Sequence, residues 1–128
     1  MRFLLDTHFV LWVPIDDRRI SLRARTILND PANDFLFSVS SIWEIAIKRA
    51  LRKPNFLFDP QETRSRFIDN GYEELPVVGA HAVAVQNLST IHKDPFDRIL
   101  IAQAMVEGIT LLTADPVIAQ YPGPIRRV

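Results

Sequence analysis

Short apolar runs alternate with longer stretches of helical period along the chain. Residues 2–5 (RFLL), 35–39 (FLFSV), 75–78 (LPVV) and 109–112 (ITLL) have the length and composition of buried strands, and 125–128 (IRRV) reads as a short edge strand. Between them, residues 20–29 place Ile20, Ala24, Ile27 and Leu28 on one helical face, and 41–53 place Ile42, Ile45, Ala46 and Leu51 at the same spacing. Residues 60–70, 79–88 and 95–107 complete the helical set. Nearly continuous apolar strands separated by helices predict an α/β fold with a mostly parallel sheet of about five strands, covered on both faces. The Asn-, Asp- and Pro-bearing segments 29–34 and 53–60 are turns within the fold, so 1–128 reads as a single domain.

Composition narrows the classes. With 48% apolar and 23% charged residues the chain is neither disordered nor fibrous. The absence of cysteine excludes a disulfide scaffold, a Cys-ligated zinc site and a thiol nucleophile, and fits a reducing, cytoplasmic setting. The apolar start is interrupted by Asp6 and His8, and the longest stretch without Lys, Arg, Asp or Glu, 75–92, carries Pro76, Gly79, Gln86 and two histidines. Neither resembles a membrane span.

Four acids fall at equivalent places relative to the predicted elements. Asp6 follows the first strand, Glu44 lies just inside the helix after the second, Asp115 follows the fourth, and Asp97 opens the long helix. In an open parallel sheet these strand ends share one edge, which is where ligands bind. Each acid also has a structural explanation. Ser41-x-x-Glu44 reads as a capping box, Asp94-Pro95 as N-cap plus first-turn proline with Asp97 at the third position, Asp115-Pro116 repeats that cap pattern, and Asp6 can cap a segment beginning at Thr7. Converging ionised carboxylates repel one another, however, and need protons or a cation. An oxygen-rich set without cysteine suits a hard divalent ion, Mg²⁺ or Mn²⁺.

These acids sit in four blocks, LLDTH at 4–8, SVSSIWEIAIK at 38–48, HKDPFDRILIAQA at 92–104 and LLTAD at 111–115. In this order they resemble the PIN-domain ribonucleases, specifically the toxin component of VapBC-type toxin–antitoxin pairs. The resemblance implies a PIN-like three-layer sandwich in which Asp6, Glu44, Asp97 and Asp115 hold one or two Mg²⁺ or Mn²⁺ ions, with Thr113 as the hydroxyl residue beside the last acid. It also implies RNA as the substrate, cleaved by metal-activated water, together with a small cognate antitoxin over the active-site groove and a homodimer. Asp6, Asp97 and Asp115 are the preferred direct ligands, while Glu44 can act through water or as a base. The stretches 13–17 and 88–90 depart from the family pattern without touching the acids.

Substrate contact is expected from cations beside the acids, Lys48, Arg49, Arg52 and Arg98, set against the alternative of a solvated helix face with a Glu44–Lys48 pair. His8, His81 and His92 share no metal-binding spacing, Trp12 and Trp43 read as core, and Ser38, Ser40 and Ser41 read as cap and turn residues without a nucleophile elbow. A phosphoacceptor signalling module would need an Asp ending the middle strand and a Lys after the last. A haloacid-dehalogenase-type phosphatase would need a second Asp two residues after Asp6. Neither pattern is present. A metal-free interaction domain is the remaining alternative. The 15 cations and 15 anions give no net charge, yet without the four site acids the balance is 15 to 11, and 12 of the cations are Arg, suited to phosphate.

Overall fold

The structure, a computed structural model, describes residues 1–128. Five strands, β1 (Arg2–Leu5), β2 (Asp34–Ser38), β3 (Glu73–Leu75), β4 (Thr110–Thr113) and β5 (Ile125–Arg127), form one sheet in the order β3-β2-β1-β4-β5, with every pairing parallel. Six helices connect them: α1 (Thr7–Trp12), α2 (Leu22–Leu28), α3 (Val39–Ala50), α4 (Pro60–Asp69), α5 (Gly79–Ala84) and α6 (Pro95–Glu107). The expected α/β class and layered parallel sheet are therefore what the chain forms. No helix is long and apolar enough to cross a membrane.

Strand alternation divides the core between the two faces of the sheet. Leu4, Leu36 and Leu111 point to one side, where Leu100, Ile101 and Ala104 of α6 cover them. Phe3, Leu5, Phe37 and Leu112 point to the other, where Phe9 and Val10 of α1, Ala24 of α2, Ile45 of α3 and Phe67 of α4 pack. Each large apolar side chain buried this way contributes roughly 1.5–3 kcal/mol.

Helix boundaries follow local chemistry. At the start of α6, Asp94 accepts from the Phe96 and Asp97 amides with Pro95 in the first turn, and Gly108 closes the helix at φ 67°, so the predicted 95–107 span is the observed one. α3 departs from the prediction at both ends. Ser38, not Ser41, is the N-cap, its Oγ accepting from Ser40 N, so Ser41 and Glu44 lie inside the helix and the expected capping box does not form. At the other end Arg52 adopts φ 51°, the left-handed conformation of a helix stop, and α3 ends at Ala50 rather than at residue 53. The expected helix 79–88 is likewise shorter. It tightens to a 3-10 turn over Val85–Asn87, where Val85 O accepts from Leu88 N at 3.1 Å and from Arg98.

Trp43 is a correction of a different kind. It is 62% exposed rather than part of the core, and it meets Phe96 edge to face at 5.2 Å between ring centroids. Val39, Trp43, Ile47 and Leu51, four residues apart, make an exposed apolar ridge along α3. Trp12 is buried as expected.

Candidate active site at the carboxyl edge of the sheet

The chain runs outward through β1, β2 and β3, then returns to place β4 against the free side of β1. The sheet therefore reverses its direction of growth between β1 and β4, and the carboxyl ends of the strands at such a switch point are where open parallel sheets bind ligands. Asp6 directly follows β1, and Asp115 lies two residues beyond β4. Both acids thus flank the switch point.

Asp6 is 1% exposed and caps α1, its Oδ1 accepting from Phe9 N at 3.1 Å. Its other oxygen accepts from the Thr113 hydroxyl, and Thr113 Oγ1 in turn accepts from Asp115 N at 3.0 Å. Thr113 thereby joins the two acids that the sequence separates by more than a hundred residues. Burial raises the Asp6 carboxyl above its ordinary range, and the hydrogen bond from Thr113 only partly offsets this. Asp115 Oδ1 accepts from Val117 N at 2.7 Å, so it also shapes the following turn.

Glu44 and Asp97 form the second pair. α6 runs back toward β4, which brings its amino-terminal turn to the same edge as the start of α3, and the Trp43–Phe96 contact fixes the two turns against each other. Glu44 is buried in mid-helix. Its Oε2 pairs with Lys48 Nζ at 2.9 Å, while its Oε1 is buried with no hydrogen-bond partner. Burial pushes the Asp97 carboxyl up to about 6, and the neighbouring Asp94 carboxylate adds to the shift. His92, at 2.8 Å from Oδ2, lowers it, and Glu44 raises it further. A link between the two pairs comes from the Thr7 and Ser41 hydroxyls, 2.9 Å apart, which tie the end of β1 to the start of α3.

The residues present fit a divalent cation. An unpartnered buried carboxylate oxygen on Glu44 and acids held above their ordinary range are what a cation-binding set looks like without its positive charge. The donor set is oxygen-rich, although of the four acids only Asp97 belongs to the group, with His92 and Asp94, whose ligand atoms lie within 4.8 Å of one another.

Two of those three residues were not read as functional from the sequence. Asp94 is the α6 cap, as expected, but its charge also bears on Asp97. His92 showed no ligand spacing, and its only sequence signal was its place five residues before Asp97. His81 is structural: buried, it accepts from Val78 N at Nδ1 and joins Glu107 Oε2 through Nε2 at 2.8 Å. His8 stacks on Trp12 at 5.3 Å and faces Asp6 closely enough to favour its charge.

The four cations divide. Lys48 is held by Glu44; Arg49 is half exposed and reaches toward Asp59, 4.0 Å away; Arg52 is exposed just past the end of α3. The Arg98 guanidinium instead turns inward, donating to the carbonyls of Val85, Ser89 and His92 and to Tyr121 Oη.

Comparison with known proteins agrees with the fold. The PIN domain family model matches residues 3–124. The VapBC2 complex of Rickettsia felis, solved bound to a promoter DNA fragment, superposes with a TM-score of 0.74 at 14% identity, covering 100% of this chain and 99% of that one. A DNA-bound VapBC from Salmonella typhimurium gives 0.64 at 18% identity, covering 99% and 98%. A toxin–antitoxin complex from Klebsiella pneumoniae gives 0.63 at 19%, covering 98% of each chain. No curated protein sequence matches.

Proposed function

The chain belongs to the PIN-domain family, and on that premise we propose that it is a metal-dependent endoribonuclease, the toxin of a toxin–antitoxin pair acting in the cytoplasm. What supports this reading is that Thr113 joins Asp6 to Asp115 and that Glu44 lies near enough to Asp97 to raise its carboxyl, with a buried Glu44 oxygen left unpartnered. Asp6, Asp97 and Asp115 would hold one or two Mg²⁺ or Mn²⁺ ions, with Glu44 beside them. When bound, such a cation neutralises the carboxylates, takes a phosphate oxygen and lowers the pKa of a water. The chain's own part is to keep the carboxylates in place: Thr113 orients Asp6, His92 orients Asp97, and Lys48 leaves Glu44 Oε1 free to accept a proton from the attacking water.

Sequencing RNA ends after induced expression of the wild type and of Asp6→Asn side by side tests the reading. New 5′ ends are expected at defined sites in the wild type alone. Identical end profiles in both would overturn it.

For substrate contact we assign the exposed cations Arg49, held only by a 3.4 Å bond to Leu57 O and a 4.0 Å approach to Asp59, and Arg52. Charge reversal at both should weaken single-stranded RNA binding several-fold and flatten the salt dependence by roughly 0.7 in log–log slope per lost phosphate contact. Unchanged binding would return both to the solvated helix face. Arg98, with its guanidinium donors committed to the fold, is left out of this set.

The α3 ridge supports a protein partner as well, since an aligned row of exposed apolar side chains is costly to leave in water. With the antitoxin expected over the acidic groove, we assign the ridge to a second copy of this chain. Sedimentation should give a dimer for the wild type and a monomer for Trp43→Asp; equal masses would refute the assignment.

A further inference from the structure

Three backbone carbonyls and one phenol converge on the Arg98 guanidinium. Nη1 donates to Ser89 O at 2.8 Å, to Tyr121 Oη at 3.1 Å and to His92 O at 3.3 Å, and Nη2 donates to Val85 O at 3.3 Å. Tyr121 is 4% exposed and comes from the far end of the chain, just before β5. Its hydroxyl accepts from His92 N at 2.7 Å and donates to His92 O at 3.2 Å. Both backbone polar groups of His92 are therefore fixed by residues distant in sequence. The side chain is fixed too. His92 Nδ1 accepts from Lys93 N at 3.1 Å, which leaves the hydrogen on Nε2, and Nε2 donates to Asp97 Oδ2 at 2.8 Å.

We propose that Tyr121 and Arg98 are positioning residues for the carboxylate site, clamping the 88–93 segment so that His92 holds Asp97 in the orientation that receives the cation. The inference rests on the carboxylate-site reading given above. Its physical basis is that a ligating carboxylate is only as well placed as the hydrogen bonds behind it, and removing such a partner typically costs 10–100-fold in metal affinity or activity. The clamp also accounts for a buried Tyr hydroxyl and an inward-facing Arg in a protein whose other arginines are mostly exposed.

Calorimetric titration with Mn²⁺ tests the clamp without reference to RNA cleavage, with thermal melts of the same samples to report the fold. Tyr121→Phe and His92→Ala should each bind Mn²⁺ about tenfold more weakly than the wild type. His92→Gln, whose amide can donate from nearly the position of Nε2, should recover most of the loss. Wild-type affinity in Tyr121→Phe would overturn the proposal. So would loss confined to the two His92 variants, which would make the ring itself a ligand. A wild type that binds no Mn²⁺ would instead remove the carboxylate-site reading, and the clamp with it.

Discussion

Asp6→Asn should lose about a thousandfold or more in RNA cleavage while its circular dichroism stays native. The fold tolerates the change because Asn keeps an oxygen to accept from Phe9 N and an amide that can donate to Thr113, and because the buried site already disfavours the charge that is removed. Cleavage at the proposed site should not tolerate it. An amide is a poor ligand for a hard cation, and a loss of about 4 kcal/mol of transition-state stabilisation corresponds to that factor. Asp97→Asn should behave alike. Rates measured with Mg²⁺ and Mn²⁺ on a single-stranded RNA check both variants, and full activity in both would refute the assignment of the acids.

Asp97→Asn has a second expected result, opposite in sign: the metal-free variant should be more stable than the wild type near pH 7.5. A carboxyl raised from 3.8 to about 6 favours the protonated form in the fold. Its contribution to stability is complete below about pH 4 and is lost as the pH rises through about 6. Above that, the wild type carries a charge that burial, Asp94 and Glu44 all oppose. The shift corresponds to about 3 kcal/mol at most. Solvent screening of the partly accessible group reduces it to about 1–2 kcal/mol, or several degrees in Tm for a domain of this size. Asn avoids that cost and can still accept from His92. Melts in EDTA at pH 4 and pH 7.5 should show a gap at the higher pH only, and added Mn²⁺ should raise the wild-type Tm more than the variant's. A variant less stable than the wild type at pH 7.5 would show that Asp97 is a supporting ion pair rather than a strained site acid.

Where local signals were strong, they were sufficient. β1 and α6 begin and end where the sequence puts them, because an apolar run bounded by Asp6, and an Asp94-Pro95 start with a Gly108 stop, each leave the backbone one good option. Where two local signals competed, the sequence chose wrongly. Both Ser38 and Ser41 can cap a helix, and only the end of β2 at Ser38 decides between them. That choice matters for function. Glu44 with a cap to satisfy would be an ordinary first-turn acid, whereas Glu44 in mid-helix is buried with an oxygen to spare. α1 is six residues long, too short for a periodic pattern to reveal.

The sequence by itself determined the α/β alternation, the parallel sheet and the places of Asp6, Asp97 and Asp115 at element ends, because apolar periodicity and cap chemistry act over a few residues. Only the tertiary structure decided which groups meet. Thr113 reaches Asp6 because β4 returns beside β1; Trp43 faces outward because α3 docks with Ser41, Glu44 and Ile45 turned inward; and His92 comes to Asp97 because Tyr121, 29 residues further on, holds its backbone. Contacts across such separations depend on the order of strands in the sheet, and no short window of sequence contains that order.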